Sequence, residues 1–208
     1  QSVGGAIAIT AGAGTNTDST DGGDGGSIVI TAGVARGGHE HDTGGDIAFA
    51  GGEASSGSGG SISFATGYGI ATSSGSMTLS TPNAGAAGVS GDIVVETQTS
   101  SHGDSGLYSL TTGDATNGKA GSITFTVGSG NSGQGGKIAI SAGETTDTES
   151  GGSITMTTGY STRTSSGEYS LSTPNAGLAG VSGSMHVRTG TASAGDTGSM
   201  AFVTGDAT

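Results

Sequence analysis

The chain has no cysteine and no tryptophan, and it holds two prolines, four phenylalanines and four tyrosines in 208 residues. Without cysteine there is neither a disulfide framework nor a thiolate metal site, and the redox compartment is not written in the sequence. So few aromatic rings leave little to fill a thick core. Basic residues are equally scarce: 5 Lys and Arg face 17 Asp and Glu, for a net charge of −12. Nucleic-acid binding needs a basic face to neutralise phosphates, so that class is excluded as a partner. Anionic membrane surfaces are disfavoured on the same ground. No apolar run approaches the ~20 residues of a membrane span, so no membrane insertion is expected. The numbering starts at Gln1 with no initiator Met and no leader-like stretch, and the expectation is a processed or excised segment.

What is abundant is small and polar: 46 Gly, 32 Ser and 31 Thr. Such a composition alone reads as a flexible linker. Its spacing argues instead for order by repetition. Thirteen cassettes each carry two apolar residues two apart: Ile7/Ile9, Ile28/Ile30, Ile47/Phe49, Ile62/Phe64, Met77/Leu79, Ile93/Val95, Tyr108/Leu110, Ile123/Phe125, Ile138/Ile140, Ile154/Met156, Tyr169/Leu171, Met185/Val187 and Met200/Phe202. A period of two places both on one face of a strand, so each cassette is expected to be one short strand with an apolar side and a small polar side. Two residues before each pair stands a glycine: Gly5, Gly26, Gly45, Gly60, Gly75, Gly91, Gly106, Gly121, Gly136, Gly152, Gly167, Gly183 and Gly198. A glycine fixed in every copy marks a corner, required either for positive φ or for close backbone approach. The first two cassettes are followed at 21 and 19 residues, the others at 15 or 16.

A short fixed period is the mark of a solenoid whose repeats bury their faces against neighbours. The sequence predicts an all-β fold, a parallel β-solenoid or β-helix of about thirteen rungs. Its rungs would stack ~4.8 Å apart, with the apolar pairs as an inner ladder. The two long segments Gly12–Gly25 and Gly33–Gly44 are expected to bulge as loops. Residues 1–208 read as one uncapped solenoid in which a six-rung block is duplicated (66–113 and 158–205). Thr66–Gly91 matches Thr158–Gly183 at 19 of 26 positions. The end segment Thr204–Thr208 joined to a second Gln1–Ile7 reproduces the length of Thr112–Ile123, with 15 residues from Met200 to the next Ile7. The expectation is head-to-tail stacking of copies or a covalent tandem array, an open assembly that grows as a filament, with lateral protofilaments as a further option.

Motifs with chemistry are sparse. His39-Glu40-His41-Asp42 is the one dense group of metal-type ligands, with His39, His41 and Asp42 as weak candidates for Zn or Cu. It occurs once, without further ligands, so a solvated polar loop is the favoured reading and no metal or other cofactor is assigned. Asp21-Gly-Gly-Asp24 resembles the Gly-Asp nonapeptides that hold Ca²⁺ in parallel β-rolls, but Ser27 stands where the rung aspartate belongs. The four histidines occupy unrelated positions, and the pair Asp147/Glu149 has no apolar pocket around it. The expectation is therefore that the chain is not an enzyme. No asparagine lies in an N-x-Ser/Thr sequon, while the many hydroxyls are candidates for O-linked glycans.

Over its whole length the repeat resembles the Gly/Ser/Thr-rich β-solenoids of extracellular adhesins and surface fibres. That resemblance implies a structural subunit or repeat segment of an extracellular or cell-surface filament. The columns Thr124/Thr126, Thr155/Thr157, Ser109/Thr111 and Thr78/Ser80, with the 15-residue period, also resemble insect ice-binding β-solenoids. Val94/Glu96 and His186/Arg188 interrupt that column, and the disulfides of those proteins are missing. The alternative reading is accordingly a binding module, adhesin-like or ice-binding, that uses its Thr/Ser-rich outer face.

Overall fold

The computed structural model describes residues 3–206. By internal contacts the chain falls into two units, Gln1–Tyr108 and Ser109–Thr208. Within each unit the repeat read from sequence survives as a repeat of local geometry. The cassettes run without a bend, because alternating β-branched, apolar and Thr residues favour extended backbone. Each intervening segment bends once, at Ser, Asn and Gly in 55–57, 116–118 and 131–134 and at Ala, Thr or Leu in others such as 70–72, 162–164 and 178–180. In the first unit the bends include 55–57, 70–72, 86–88 and 101–103. In the second they fall at 116–118, 131–134, 146–149, 162–164, 178–180 and 193–195.

The expected all-β class is not what the chain adopts. Among the described residues there is no helix and no strand, so the parallel β-solenoid of stacked rungs is corrected to a coil of straight stretches and bends. A ladder would need the backbone N–H and C=O groups of each rung to pair with the next. Among the described residues the backbone–backbone hydrogen bonds instead close turns and loops.

The expected inner ladder is corrected with it, because no described residue is buried. In the first unit Ile7 and Ile9, Ile28 and Ile30, Ile47 and Phe49, and Ile62 and Phe64 are all exposed. So are Met77 and Leu79, Ile93 and Val95, and Tyr108. In the second unit the exposed set is Leu110, Ile123 and Phe125, Ile138 and Ile140, and Ile154 and Met156. Tyr169 and Leu171, Met185 and Val187, and Met200 and Phe202 complete it. Exposure across these residues runs from 45% at Ile123 to 93% at Ile7. Ile9, Ile30, Val95, Leu171, Val187 and Phe202, expected as inner-wall residues, are surface residues because no next rung is stacked over them.

The physical reason lies in the composition. Two apolar side chains per cassette give little burial, while ordering a Gly-rich backbone costs more entropy than ordering any other. The period is real, but each copy carries too little apolar surface to hold a ladder together. The joined ends expected from Gln1–Ile7 and Thr204–Thr208 involve residues 1–2 and 207–208, which lie outside the described residues.

What the corner glycines do is bring each intervening segment back on itself. In the first unit the amide of Gly26 donates to Gly12 O (2.8 Å), Gly45 to Gly33 O (2.9 Å), Gly60 to Gly52 O (2.8 Å) and Gly75 to Gly67 O (3.0 Å). In the second, Gly152 donates to Gly143 O and Gly167 to Gly159 O, both at 2.9 Å. Each bond forms the neck of a loop. The two long segments expected to bulge as loops close in this way, and the first is tied again by Gly23 N to Asn16 O at 2.9 Å.

None of the thirteen corner glycines has positive φ. Crowding, and not a left-handed backbone, accounts for the glycine at seven of them, Gly26, Gly45, Gly60, Gly106, Gly121, Gly136 and Gly152, where an added Cβ would come closer than 3.4 Å to a neighbour. At Gly75, Gly91, Gly167, Gly183 and Gly198 it would meet only ordinary contacts, and Gly5, which closes no preceding segment, stands in open space. At Gly152 the added atom would meet Gly143 N at 3.1 Å and Ala142 Cβ at 3.3 Å. The positive-φ glycines are a separate set, Gly88, Gly103, Gly133, Gly180 and Gly195, each three residues before a corner. Gly88 and Gly180 (φ 132° and 118°), like Gly103 and Gly195 (104° and 100°), are separated by the offset of the duplicated block. Both copies thus repeat the same turn in separate units.

Candidate functional site

The cluster His39-Glu40-His41-Asp42 sits at the tip of the second long loop and is occupied with its own turn. The Asp42 amide donates to His39 O (3.0 Å), and the Asp42 carboxylate accepts from the His39 amide (3.2 Å). His39 Nδ1, one of the two nitrogens a metal would need, accepts from the His41 amide at 3.2 Å. The two imidazoles lie 5.1 Å apart, and His41 Nε2 is 3.8 Å from the Glu40 carboxylate with both side chains exposed to solvent. Among the described residues no three His, Asp or Glu side chains come together in a way that could hold a metal ion. The weak metal candidates His39, His41 and Asp42 are therefore neighbours in a polar turn.

The turn just before the calcium-like stretch is likewise occupied with its own bonds. The Asp18 carboxylate accepts from Thr20 Oγ1 (2.7 Å) and the Thr20 amide (2.8 Å), and the Asp18 amide donates to Asn16 Oδ1 (3.0 Å). The hydroxyl and amide of Thr20 stabilise the carboxylate form and hold the Asp18 pKa below its ordinary value. Asp21 and Asp24 make no such cage. In the carboxylate pair, Asp147 caps the Thr148 amide through Oδ1 at 2.8 Å, a local turn bond.

The apolar cassettes do come together, although without burial. Phe49 and Phe64 meet edge to face with ring centroids 6.1 Å apart. Tyr169 Oη donates to Met156 Sδ at 3.4 Å. Phe64, Met77 and Leu79 line a shallow apolar hollow with Thr78. Each of these contacts joins one cassette to the next across a neck. In eleven of the thirteen pairs the first member, which stands nearer the corner glycine, is less exposed than the second. The Thr and Ser residues between and beside the apolar pairs are exposed, and Ser109 Oγ and Thr111 Oγ1 share a 3.4 Å contact. A second shallow hollow is lined by Arg188, Thr189, Gly190 and Thr191.

One feature that the sequence reading passed over is the residue just before the closing position. Where it is Ala or Gly (Ala11, Ala32, Gly51, Ala142) the neck hydrogen bond forms. Where the γ-carbon of Thr97, Val127 or Thr173 is the nearest such atom to the corner glycine, no neck bond is seen among the described residues. Thr66 and Thr158 present Cβ as their nearest atom, and their necks are bonded, whereas Thr112 places Cβ and Cγ2 equally near Gly121 and no neck bond is seen there among the described residues. Ala or Gly at this position was a signal visible in the sequence, while Thr occurs at bonded and unbonded necks alike. Compared with models of protein families, with curated proteins and with solved structures, the chain matches none.

Proposed function

We propose that the chain is a structural repeat segment of an extracellular fibre or stalk, whose work is to supply length and a hydrated surface and which associates with copies of itself. The observation that carries this reading is the recurrence of one local geometry through both units: a straight cassette, a bend, and a corner glycine drawn against the preceding segment. A protein built for one ligand concentrates its special geometry in one place, whereas this chain spends its geometry evenly. The charge fits the same role, because a net −12 keeps neighbouring hydrated surfaces apart except where apolar contact outweighs it. The exposed Ser and Thr hydroxyls are open to O-linked glycans, which would thicken that hydrated surface.

Electron microscopy of the purified protein tests the proposal. Extended or fibrous particles are the expected result, and compact monodisperse particles would overturn it. Intact-mass measurement on material from the native source reads the glycans directly. An ice-shaping assay serves as the discriminating control, since faceted crystal growth in its presence would move the function to the Thr/Ser-rich surface.

A further inference from the structure

We infer that the apolar side of the cassettes is an interface between two copies of this chain, the second copy lying along the first. The inference rests on the structural reading above in taking a copy as the partner, and it adds the face that the partner covers.

Surface area is the first argument. A folded protein of 19.4 kDa exposes about 8,500 Å², and the same chain fully extended about 28,000 Å². This chain exposes 20633 Å². Alone, it has withdrawn only about a quarter of its extended surface from water, and none of its large apolar side chains is buried. The Ser109–Thr208 unit carries Leu110 and six complete apolar pairs, each member about half exposed or more. Their remaining apolar area is on the order of 800 Å², close to what one partner contributes to a stable interface.

Charge placement is the second argument. Of the seventeen acids, only Asp46, Asp92, Glu96 and Glu168 lie within the cassettes; the others fall in the segments between them. A copy laid against the cassettes therefore meets the part of the chain where repulsion is weakest. Spacing selects a copy over an unrelated protein. A partner must present apolar pairs at 15 or 16 residue intervals to match, and a second copy repeats that interval from Ile47 onward. Two-fold pairing of a patch with itself is the commonest way such a match is made.

Sedimentation velocity and equilibrium on the full chain, from low to high micromolar concentration at physiological salt, test the inference. The expected result is a mass of twice 19.4 kDa or a larger multiple, with a concentration-dependent return to the single chain. The combined variant Ile123→Thr, Phe125→Ser, Ile138→Thr, Ile140→Thr is expected to weaken association about tenfold or more. The control Glu144→Gln, Asp147→Asn is expected to leave association unchanged or strengthen it. Because no core holds these positions, the variant keeps its local form, which amide exchange at Gly152 and Gly167 verifies. A single-chain mass at every concentration overturns the inference, as does association that the four substitutions leave intact. Extended single-chain particles in the microscope from a protein that sediments as a single chain would overturn the pairing alone and leave the reading as a length-supplying structural segment standing.

Discussion

The neck between Gly143 and Gly152 allows two glycines on one hydrogen bond to be set against each other. Gly152 donates to Gly143 O at 2.9 Å. A methyl group on Gly152 would meet Gly143 N at 3.1 Å, Ala142 Cβ at 3.3 Å and Gly143 O at 3.4 Å. Two of these three atoms are backbone, so they cannot rotate away and the neck must widen. On Gly143 the same methyl group meets nothing within 4 Å. Neither glycine has positive φ, so alanine is not excluded by conformation at either. Alanine restricts the open chain and on that account favours closure by about 0.4–1 kcal/mol at both sites. At Gly152 the overpacking works against it at about 1–3 kcal/mol, and the neck bond, itself about 1 kcal/mol, lengthens. Gly143→Ala should therefore tighten the neck by about half a kcal/mol, and Gly152→Ala should loosen it by about 1 kcal/mol. The closing equilibria of the two variants then differ by about tenfold. Amide exchange at position 152, referenced to Gly106, whose amide makes no neck bond, reads this difference. Equal exchange in both variants would refute the crowding argument for the tight corner glycines.

Other outcomes follow from the same geometry. Val127→Ala removes the γ-carbon that lies over Gly136, and it should create a neck bond from the Gly136 amide to Gly128 O, seen as slower exchange at that amide. The Asp18 pKa is lowered by its bonds from Thr20. Its contribution to the Asn16–Gly23 loop is thus present at neutral pH and is lost as pH falls through that lowered value. Thr20→Val should return the Asp18 titration, followed by NMR, toward the ordinary carboxylate range. Surface exposure predicts the denaturant response: the single chain has little left to expose, so its urea m-value should be well under half that of a folded protein of its size, without a cooperative transition. A steep sigmoidal transition at low concentration would contradict the open form.

Local geometry was legible in the sequence, and long-range order was not. The corner glycines and the bends between cassettes follow from residue chemistry within about ten positions, whereas the strand expected at each cassette is not formed among the described residues. The duplication was legible as well, down to the matched turns at Gly88 and Gly180. The step from a period to a stacked ladder failed because periodicity says where apolar residues stand and not how much surface each copy can bury. Ile154 and Met156 show the gap. Their spacing is that of a one-sided strand, yet both stay more than half exposed, and the hydrogen bond from Tyr169 to Met156 is what links them across the neck. The geometry of the candidate metal group was not legible in the same way. In an extended loop His39 and His41 would share a side, but Asp42 folds the segment into a turn that uses His39 Nδ1 as an acceptor.

The same small residues that make the necks are what prevent a single chain from making a core. A bonded corner draws two segments together at one point, and the cassettes leave that point with one apolar pair each. Burial near the neck is partial, as the lower exposure of Ile62 than Phe64 (49% against 66%) illustrates, and it fades two residues further out. Ile47 and Phe49 show the same fall-off (48% against 61%). Lengthening the chain by another repeat adds another neck and another exposed pair in the same proportion. The ratio of apolar surface to ordered backbone is therefore a constant of the repeat, and no number of copies in one open chain improves it. Contact between chains changes that ratio, because it covers apolar surface while adding no new loop to order. On the pairing inferred above, the sequence would gain its stability by association, and its monomer is expected to stay open.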